Sequence, residues 1–291
     1  MDGYLWIVLV AVYGICKGTR EIFKKFALKQ STVMETLFVY VLLSFVIVLP
    51  YAPDAFRLQD WNYMYLIVVK SFVIFLAWIC SFRAFSKMPV SLYGVLDLSR
   101  ILFSTVYGIF LVGESIGYMH VIGLSLVSGG LLLLKFKPVG KKKENAEKVS
   151  TKVVLVAFAG CGLTALSGAL DKILMRKGDL TSNQLQFWYM LFLVLFYAVY
   201  IVMTKTEINF KSALKNKWIY LMSVSLVIGD KALFVANNNP SCTVTLMTLI
   251  KQISCIVIIL GGKFIFKEKR ILYKLFCACV IITGMVVAVL Q

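Results

Sequence analysis

The chain has 291 residues, of which 60% are hydrophobic and only 15% are charged, and its mean hydropathy is +0.86. A soluble domain carries charge on about a quarter of its residues, so this composition excludes a water-soluble globule and makes the bilayer the solvent for most of the surface. The net charge of +17 does not indicate nucleic-acid binding, because the lysines and arginines lie mostly between apolar runs, where they set membrane topology.

Apolar runs long enough to cross a bilayer core, about 20 residues each, recur along the whole chain. The links between them are short, and Pro50, Pro89 and Pro240 mark three of the boundaries. The sequence therefore predicts an all-α integral membrane protein with ten transmembrane helices. In chain order, these helices run over residues 3–23, 31–49, 61–83, 90–112, 117–135, 152–174, 183–204, 217–236, 241–262 and 271–290.

The basic residues are concentrated on one side of the predicted membrane. The links after helices 1, 5, 7 and 9 hold most of them, whereas the opposite side has mainly Arg57, Arg176 and Lys177. The positive-inside rule then places the odd-numbered links in the cytoplasm and both termini outside. We therefore expect a multi-pass protein of the cell (plasma or inner) membrane.

Two stretches, residues 82–115 and 234–269, share a pattern that indicates an internal duplication. Each has a proline that ends a polar turn, a basic residue eleven positions later, and a glutamate at the membrane edge. The matching pairs are Pro89 and Pro240, Arg100 and Lys251, and Glu114 and Glu268. A five-helix repeat is inverted in its second copy, since five is odd. We predict repeats over 1–137 and 152–291, joined by a basic cytoplasmic linker over 138–151.

Two five-helix halves, each with a proline-led helix, a terminal glutamate and a glycine-containing last helix, resemble the drug/metabolite transporter superfamily, EamA type. The last-helix glycines are Gly123, Gly129, Gly130 and Gly284. The resemblance implies a transporter of small metabolites with a central cavity, working by alternating access. Many relatives have a proline midway along helices 4 and 9, but Ile101 and Gln252 stand at those positions. Straighter helices are therefore expected here.

Ionisable residues inside the apolar spans are functional candidates, because a charge in the bilayer is costly and must face the bundle interior. Their basic surplus favours a carboxylate or phosphate, so the expected substrate is an anionic or zwitterionic metabolite, such as an amino acid. A buried carboxyl could instead meet an amino group or accept a coupling proton. The predicted substrate-binding residues are Lys70, Asp97, Arg100, Asp230, Lys251, Trp78 and Tyr93. The predicted coupling or gating residues are Glu35, Asp97 and Asp230.

Structural pairing is the alternative interpretation of these charges. Asp97 could pair with Arg100 three positions later, and Asp230 could pair with Lys251. Lys70 could neutralise an acid or reach towards the membrane surface. Both interpretations remain open at the level of sequence.

Charged residues near the ends of predicted helices have a second set of expected roles. Lys17, Arg20 and Glu21 either form a gate at the end of helix 1 or belong to a helix end that is solvated or contacts lipid headgroups. Glu114 and Glu268 are expected to order helix ends and loops.

A secondary transporter is the first functional hypothesis. The alternatives are a membrane-embedded enzyme acting on a lipid or isoprenoid substrate and a structural or assembly protein of the membrane. The acids are scattered and His120 is the single histidine, so the sequence predicts no catalytic residue, no metal and no cofactor. The expected partners are a small-molecule substrate and the lipid bilayer, without nucleic acid, for a monomer or homodimer.

Overall fold

The computed structural model describes residues 5–57, 60–107, 110–111, 118–135, 149–178, 180–237, 250–268 and 271–289. Within these ranges all regular structure is helical. The longer helices are α1 (Leu5–Gln30), α2 (Val33–Val48), α3 (Met64–Ser86), α4 (Val90–Asp97), α5 (Arg100–Tyr107), α6 (Tyr118–Lys135), α7 (Thr151–Lys177), α8 (Ser182–Thr204), α9 (Lys217–Asn237), α10 (Ile253–Phe264) and α11 (Ile271–Val289). Short helices occur at Ala52–Ala55 and Phe210–Lys215. The predictions for Glu114, Pro240 and most of the linker lie outside the described residues.

In the described part of the chain, five helical segments are long and apolar enough to cross a membrane. They are Val33–Ala55, Trp61–Ser86, Thr151–Met175, Ser182–Thr204 and Lys217–Ala236. Shorter apolar helices are Val121–Leu133, Ile253–Phe264 and Ile271–Gly284. Each predicted span overlaps a helix, although the beginning of the ninth lies outside the described residues. The all-helical membrane class is thus confirmed.

The helices pair across the two halves of the chain. α1 packs along α9, α3 packs along α7, and α6 packs along α11. α2 contacts both α8 and α9, while α10 contacts both α1 and α4. The largest apolar core lies among α2, α3, α8 and α9 and includes Tyr40, Leu185, Met190 and Tyr197. These contacts hold the charged faces of α1, α3, α4, α7 and α9 inside the bundle.

Small residues let α1 approach α10 closely. Gly14 and Gly18, one turn apart, face α10, and a Cβ built on Gly18 would lie 2.6 Å from the Cβ of Val257. Small residues at this spacing are a usual means of close helix contact in membranes. The crossing fixes the rotation of α1, and with it the direction of Lys17.

The fourth predicted helix is broken although it has no proline. α4 ends at Asp97 and α5 begins at Arg100. At the break, Leu98 N bonds to Val95 O at 3.2 Å and Ser99 N bonds to Leu96 O at 2.9 Å, and each of these bonds closes a four-residue turn. The straighter helix that we expected is therefore not found. Cys161 Sγ lies 3.9 Å from Leu96 O beside the break, and polar groups of this kind make a broken helix tolerable in a membrane by satisfying freed backbone groups.

The ninth predicted helix has a similar interruption. Lys251 is helical, Gln252 is in a turn, and α10 begins at Ile253. Cys255 N bonds to Gln252 O at 2.9 Å, which again closes a four-residue turn. The expectation of a straight helix fails here as well, and both interruptions adjoin the matched basic residues, Arg100 and Lys251.

Both α2 and α8 begin with a capping box. Thr32 and Glu35 form a reciprocal capping box at the start of α2, and Thr181 and Gln184 form one at the start of α8. Such boxes satisfy backbone N–H groups that the first turn of a helix leaves without partners. Glu35 also accepts a hydrogen bond from Asn209 N at 3.0 Å. The structure therefore places this predicted gating residue at a helix start.

α1 continues to Gln30, beyond the end predicted for helix 1. Lys17, Arg20 and Glu21 consequently lie inside a continuous helix, and Glu21 is buried. The solvated helix end that we considered for them is wrong, because α3, α4 and α9 cover this part of α1.

Candidate functional site

Three charged side chains meet where α1, α4 and α5 come together. Lys17 Nζ lies 2.7 Å from Asp97 Oδ2, and Arg100 Nη2 lies 2.7 Å from Asp97 Oδ1. The side chains of Lys17, Asp97 and Arg100 are 10%, 7% and 25% exposed. We call these three residues the Asp97 cluster. It holds two cations and one carboxylate, so its own charges do not cancel.

The broken helix shapes this cluster. Asp97 is the last residue of α4 and Arg100 the first of α5, so the pair spans the break. Cys161 of α7 places its Sγ 3.9 Å from both Leu96 O and Asp97 Oδ1. Arg100 Nε is buried and has no hydrogen-bond acceptor among the described residues. The guanidinium therefore retains a donor that a bound acceptor could use.

A second group of polar side chains joins α3, α7, α8 and α9. Lys70 Nζ lies 2.7 Å from Asp171 Oδ1 and 3.7 Å from the centre of the Tyr189 ring. Tyr189 Oη donates a hydrogen bond to Asp230 Oδ2 at 2.7 Å. We call Lys70, Asp171, Tyr189 and Asp230 the Asp230 cluster. Lys70 thus neutralises an acid, Asp171, in agreement with the structural alternative.

Residues of α1 interact with members of both clusters. Arg20 interacts electrostatically with Asp230 and with Tyr40. Tyr13 lies one helical turn before Lys17; the ammonium of Lys251 is 5.6 Å from its ring, and its phenol also interacts with Arg100. Lys251, the matched basic residue of the second predicted repeat, therefore faces Tyr13 of α1.

Of the other predicted site residues, Tyr93 lies close to the Asp97 cluster, whereas Glu35 lies outside both clusters. Tyr93 is buried one turn before Asp97 on α4, and its ring packs edge-on against Phe85. Trp78 packs against Tyr40, with ring centres 5.5 Å apart. Glu35 belongs to neither cluster, since it caps α2. The predicted Asp97–Arg100 pair is confirmed, whereas the hydrogen-bond partner shown for Asp230 is Tyr189.

The sequence-based interpretation left out Lys24 and Asp171, which the structure brings inside the bundle, and it considered Lys17 only for a gate or a helix end. The spacing along α1 is four residues from Lys17 to Glu21 and three from Glu21 to Lys24, which places all three on one helix face. That spacing was a usable signal, but the shorter span predicted for helix 1 put Lys24 outside the membrane. Asp171 carried a signal too, because it lies within the predicted sixth span.

The described residues include no group of three or more His, Cys, Asp or Glu side chains arranged to hold a metal ion. Within the two clusters, the charged groups instead contact one another or aromatic rings. The arrangement can bind charged groups of a solute by ion pairing and hydrogen bonding.

Comparisons with known proteins agree with this architecture. A crystal structure of another protein aligns with 99% of this chain and 95% of its own, at 14% sequence identity and a TM-score of 0.55, which shows a shared fold. No curated protein sequence matches the chain. Residues 4–136 match the EamA-like transporter family, a family of membrane transporters. This match supports a multi-pass membrane protein, and it agrees with the resemblance to the drug/metabolite transporter superfamily.

Proposed function

We propose that the protein is a secondary transporter that moves a small anionic or zwitterionic metabolite, an amino acid or similar compound, across the cell membrane by alternating access. One observation carries the proposal: Lys17 and Arg100 share the single carboxylate of Asp97 inside the bundle. A surplus buried cation is costly in a bilayer, and a bound anion offsets that cost.

Arg100 suits the role of the anion-binding residue. A guanidinium presents several donors in one plane and can bind a carboxylate or phosphate through two of them. Asp97 engages Nη2, while Nε is buried without an acceptor among the described residues. Arg100 is also the most exposed member of the Asp97 cluster. A solute anion placed beside Arg100 would also lie near Lys17.

The proposed architecture is ten transmembrane helices in two inverted five-helix repeats, over 1–137 and 152–291. Exchanging the halves exchanges α1 with α7 and α3 with α9. The α1–α9 contact then becomes the α7–α3 contact, and both are extensive. The α2–α9 and α8–α3 contacts are related in the same way. The matching capping boxes of α2 and α8 also support the repeat.

The location of the clusters fits such an architecture. Inverted-repeat transporters bind solute near the middle of the membrane, where the repeats meet and helices are discontinuous. The Asp97 cluster adjoins the α4–α5 break, and α7 of the second half covers it through Cys161. We further propose that both termini lie outside and that the linker over 138–151 is cytoplasmic. The transporter would act as a monomer or homodimer.

Coupling to an ion is assigned to the carboxyls of Asp97 and Asp230. Asp230 accepts a hydrogen bond from Tyr189, which in turn packs on the ammonium of Lys70. Loss or gain of a proton at Asp230 would change the hydrogen bonding of this chain. Asp97 would respond to the solute directly, because it neutralises the same cations that bind the anion.

Ligand-dependent thermal stabilisation of the purified full-length protein tests the substrate class. The panel contains amino acids, phosphorylated sugars, nucleotide sugars and polyamines, each at equal ionic strength. We expect a compound with an anionic group to raise the melting temperature of the wild type and to lose at least tenfold in affinity in Arg100→Gln. The matched control is Arg83→Gln, since Arg83 is an exposed arginine of α3 that donates to Tyr200.

Transport of the stabilising compound is then measured in proteoliposomes. Counterflow exchange should occur with the wild type and with Arg83→Gln and should be lost with Arg100→Gln. Stabilisation by polyamines alone would contradict the proposed substrate class. Equal binding and transport by wild type and Arg100→Gln would contradict the proposed site.

A further inference from the structure

Lys24 is a fully enclosed lysine whose ammonium faces three aromatic rings. Its side chain is 4% exposed, and Nζ lies 4.5 Å from the ring centre of Phe82, 4.6 Å from that of Phe85 and 5.3 Å from that of Tyr93. Phe82 and Phe85 belong to α3, and Tyr93 belongs to α4. The ion-pair partner of Lys24 is Glu21, one turn earlier on the same helix.

Rings that surround an ammonium beside a carboxylate form the kind of site that proteins use to bind organic ammonium ligands. We propose that Phe82, Phe85, Tyr93 and Glu21 form a binding site for the ammonium group of a solute, and that Lys24 occupies this site as a built-in ligand. We call these four residues the ammonium box. The proposal rests on the proposed transport function and specifies its substrate as a compound carrying both an amine and an anion.

The contacts of Lys24 with α3 and α4 can be exchanged for those of another ammonium. They are made through ring faces, which attract any cation without requiring one direction of approach. Lys25, the next residue, differs, because its Nζ donates to the carbonyl oxygen of Met88 at 2.8 Å. Lys25 can therefore hold α1 against the end of α3 while Lys24 leaves the box.

Lys24 has a route out of the box. It lies six residues before the end of α1 at Gln30, a rise of about 9 Å. A long lysine side chain can turn towards the aqueous end of its helix while its stem remains on apolar surface. Repulsion from Arg20 favours the exit, whereas attraction to Glu21 and Asp97 opposes it.

The box adjoins the Asp97 cluster. Tyr93 precedes Asp97 by one turn of α4, and Glu21 follows Lys17 by one turn of α1. One turn corresponds to a rise of about 5–6 Å. A solute whose amine and anion are a few bonds apart could thus place its anion on Arg100 and its ammonium among the rings. When the solute is absent, Lys24 supplies the ammonium.

Chemical rescue tests whether the box recognises an ammonium. Lys24→Ala removes the atoms that propylammonium replaces, and Lys29→Ala is the matched control, because Lys29 is exposed and lies over the rings of Phe26 and Phe266 at 5.6 and 5.4 Å. We expect Lys24→Ala to melt several degrees lower and propylammonium chloride to restore at least half of the loss. Sodium chloride at the same ionic strength and propanol at the same concentration should restore little.

A measurement on the wild type covers the case in which Lys24→Ala does not fold. Acetylation by an N-hydroxysuccinimide ester, mapped by mass spectrometry, should modify Lys29 readily and Lys24 slowly. Tetramethylammonium chloride should raise the acetylation of Lys24 at least threefold over sodium chloride, because it displaces the lysine from the rings. No increase would overturn the proposal, as would equal rescue of Lys24→Ala by propanol and propylammonium.

The probes distinguish a failure of this inference from a failure of the proposed function. Propylammonium and tetramethylammonium carry no anionic group, so their effects do not depend on Arg100. If Arg100→Gln binds and transports normally, the proposed anion site fails, whereas the ammonium box is judged by its own test. If the stabilising solutes carry an anion but no amine, the solute role of the box is overturned while the proposed function stands.

Discussion

Lys17 and Asp97 lie 80 positions apart in the sequence, yet the ammonium of Lys17 is 2.7 Å from a carboxylate oxygen of Asp97. The contact joins α1 to the last residue of α4, directly before the helix break. Asp97 also binds Arg100 through its other oxygen. One carboxylate therefore fixes both cations of the proposed anion site.

Asp97→Asn should destabilise the protein strongly. The substitution leaves two enclosed cations without their counter-charge, and breaking a buried pair in this way costs about 3–5 kcal/mol. Asp54→Asn is the control, because Asp54 is exposed and accepts from Asn183 at 2.7 Å. Thermal melting in detergent compares the two variants with the wild type. A melting temperature for Asp97→Asn equal to that of Asp54→Asn would show that the cluster is not structurally important.

Lys70 and Asp171 should be coupled energetically. Each single neutral variant, Lys70→Gln or Asp171→Asn, leaves one enclosed charge unpaired, whereas the double variant leaves none. We therefore expect the double variant to lose less stability than the sum of the two single losses, by about 1–3 kcal/mol. A double-mutant cycle of unfolding free energies measures this coupling. Strict additivity would mean that the two side chains do not pair in the folded protein.

Gly18→Ala should destabilise the α1–α10 crossing. The added Cβ would lie 2.6 Å from the Cβ of Val257, so the helices must separate. Gly168→Ala is the matched control, because no neighbouring atom lies within 4 Å of a Cβ placed there. Alanine is the better helix former by about 0.8–1 kcal/mol, so this control should be neutral or stabilising. The comparison is made by thermal melting, and a loss of stability in both variants would argue against the close crossing.

Glu268→Gln should loosen the start of α4. Glu268 accepts hydrogen bonds from Val90 N at 2.6 Å and Ser91 N at 3.1 Å, and Lys274 lies 3.2 Å from the same carboxylate. Loss of a helix cap typically costs about 0.5–2 kcal/mol. Faster amide hydrogen exchange in the first turn of α4 is the expected readout. Glu207→Gln, at an exposed position, should leave that exchange unchanged.

The role of Glu268 also shows what a sequence pattern can predict. Its place at a membrane edge suggested that it orders a helix end, and the structure confirms that expectation for α4. The pattern did not indicate which helix it caps. The capped residues precede Glu268 by more than 170 positions, so only the packing of α10 and α11 against α4 brings them together.

The sequence by itself determined the all-helical membrane class, the approximate positions of the helices and the likeness to EamA-type transporters, and it offered the Asp97–Arg100 pair as one interpretation. The physical reason is that these features depend on local hydrophobicity, helix length and side-chain spacing along one helix. It also identified Lys70 and Asp230 as interior charges, because a charge in an apolar span must be sheltered from lipid.

Only the tertiary structure decided the partners of those charges. Lys17 joined Asp97, Asp171 joined Lys70, and Tyr189 joined Asp230, each through contact between helices remote in sequence. It also decided that α4 ends at Asp97 without a proline. The ammonium of Lys24 faces three aromatic rings for the same reason. Hydropathy records how apolar each segment is, but the direction in which a side chain points depends on how the helices rotate and cross.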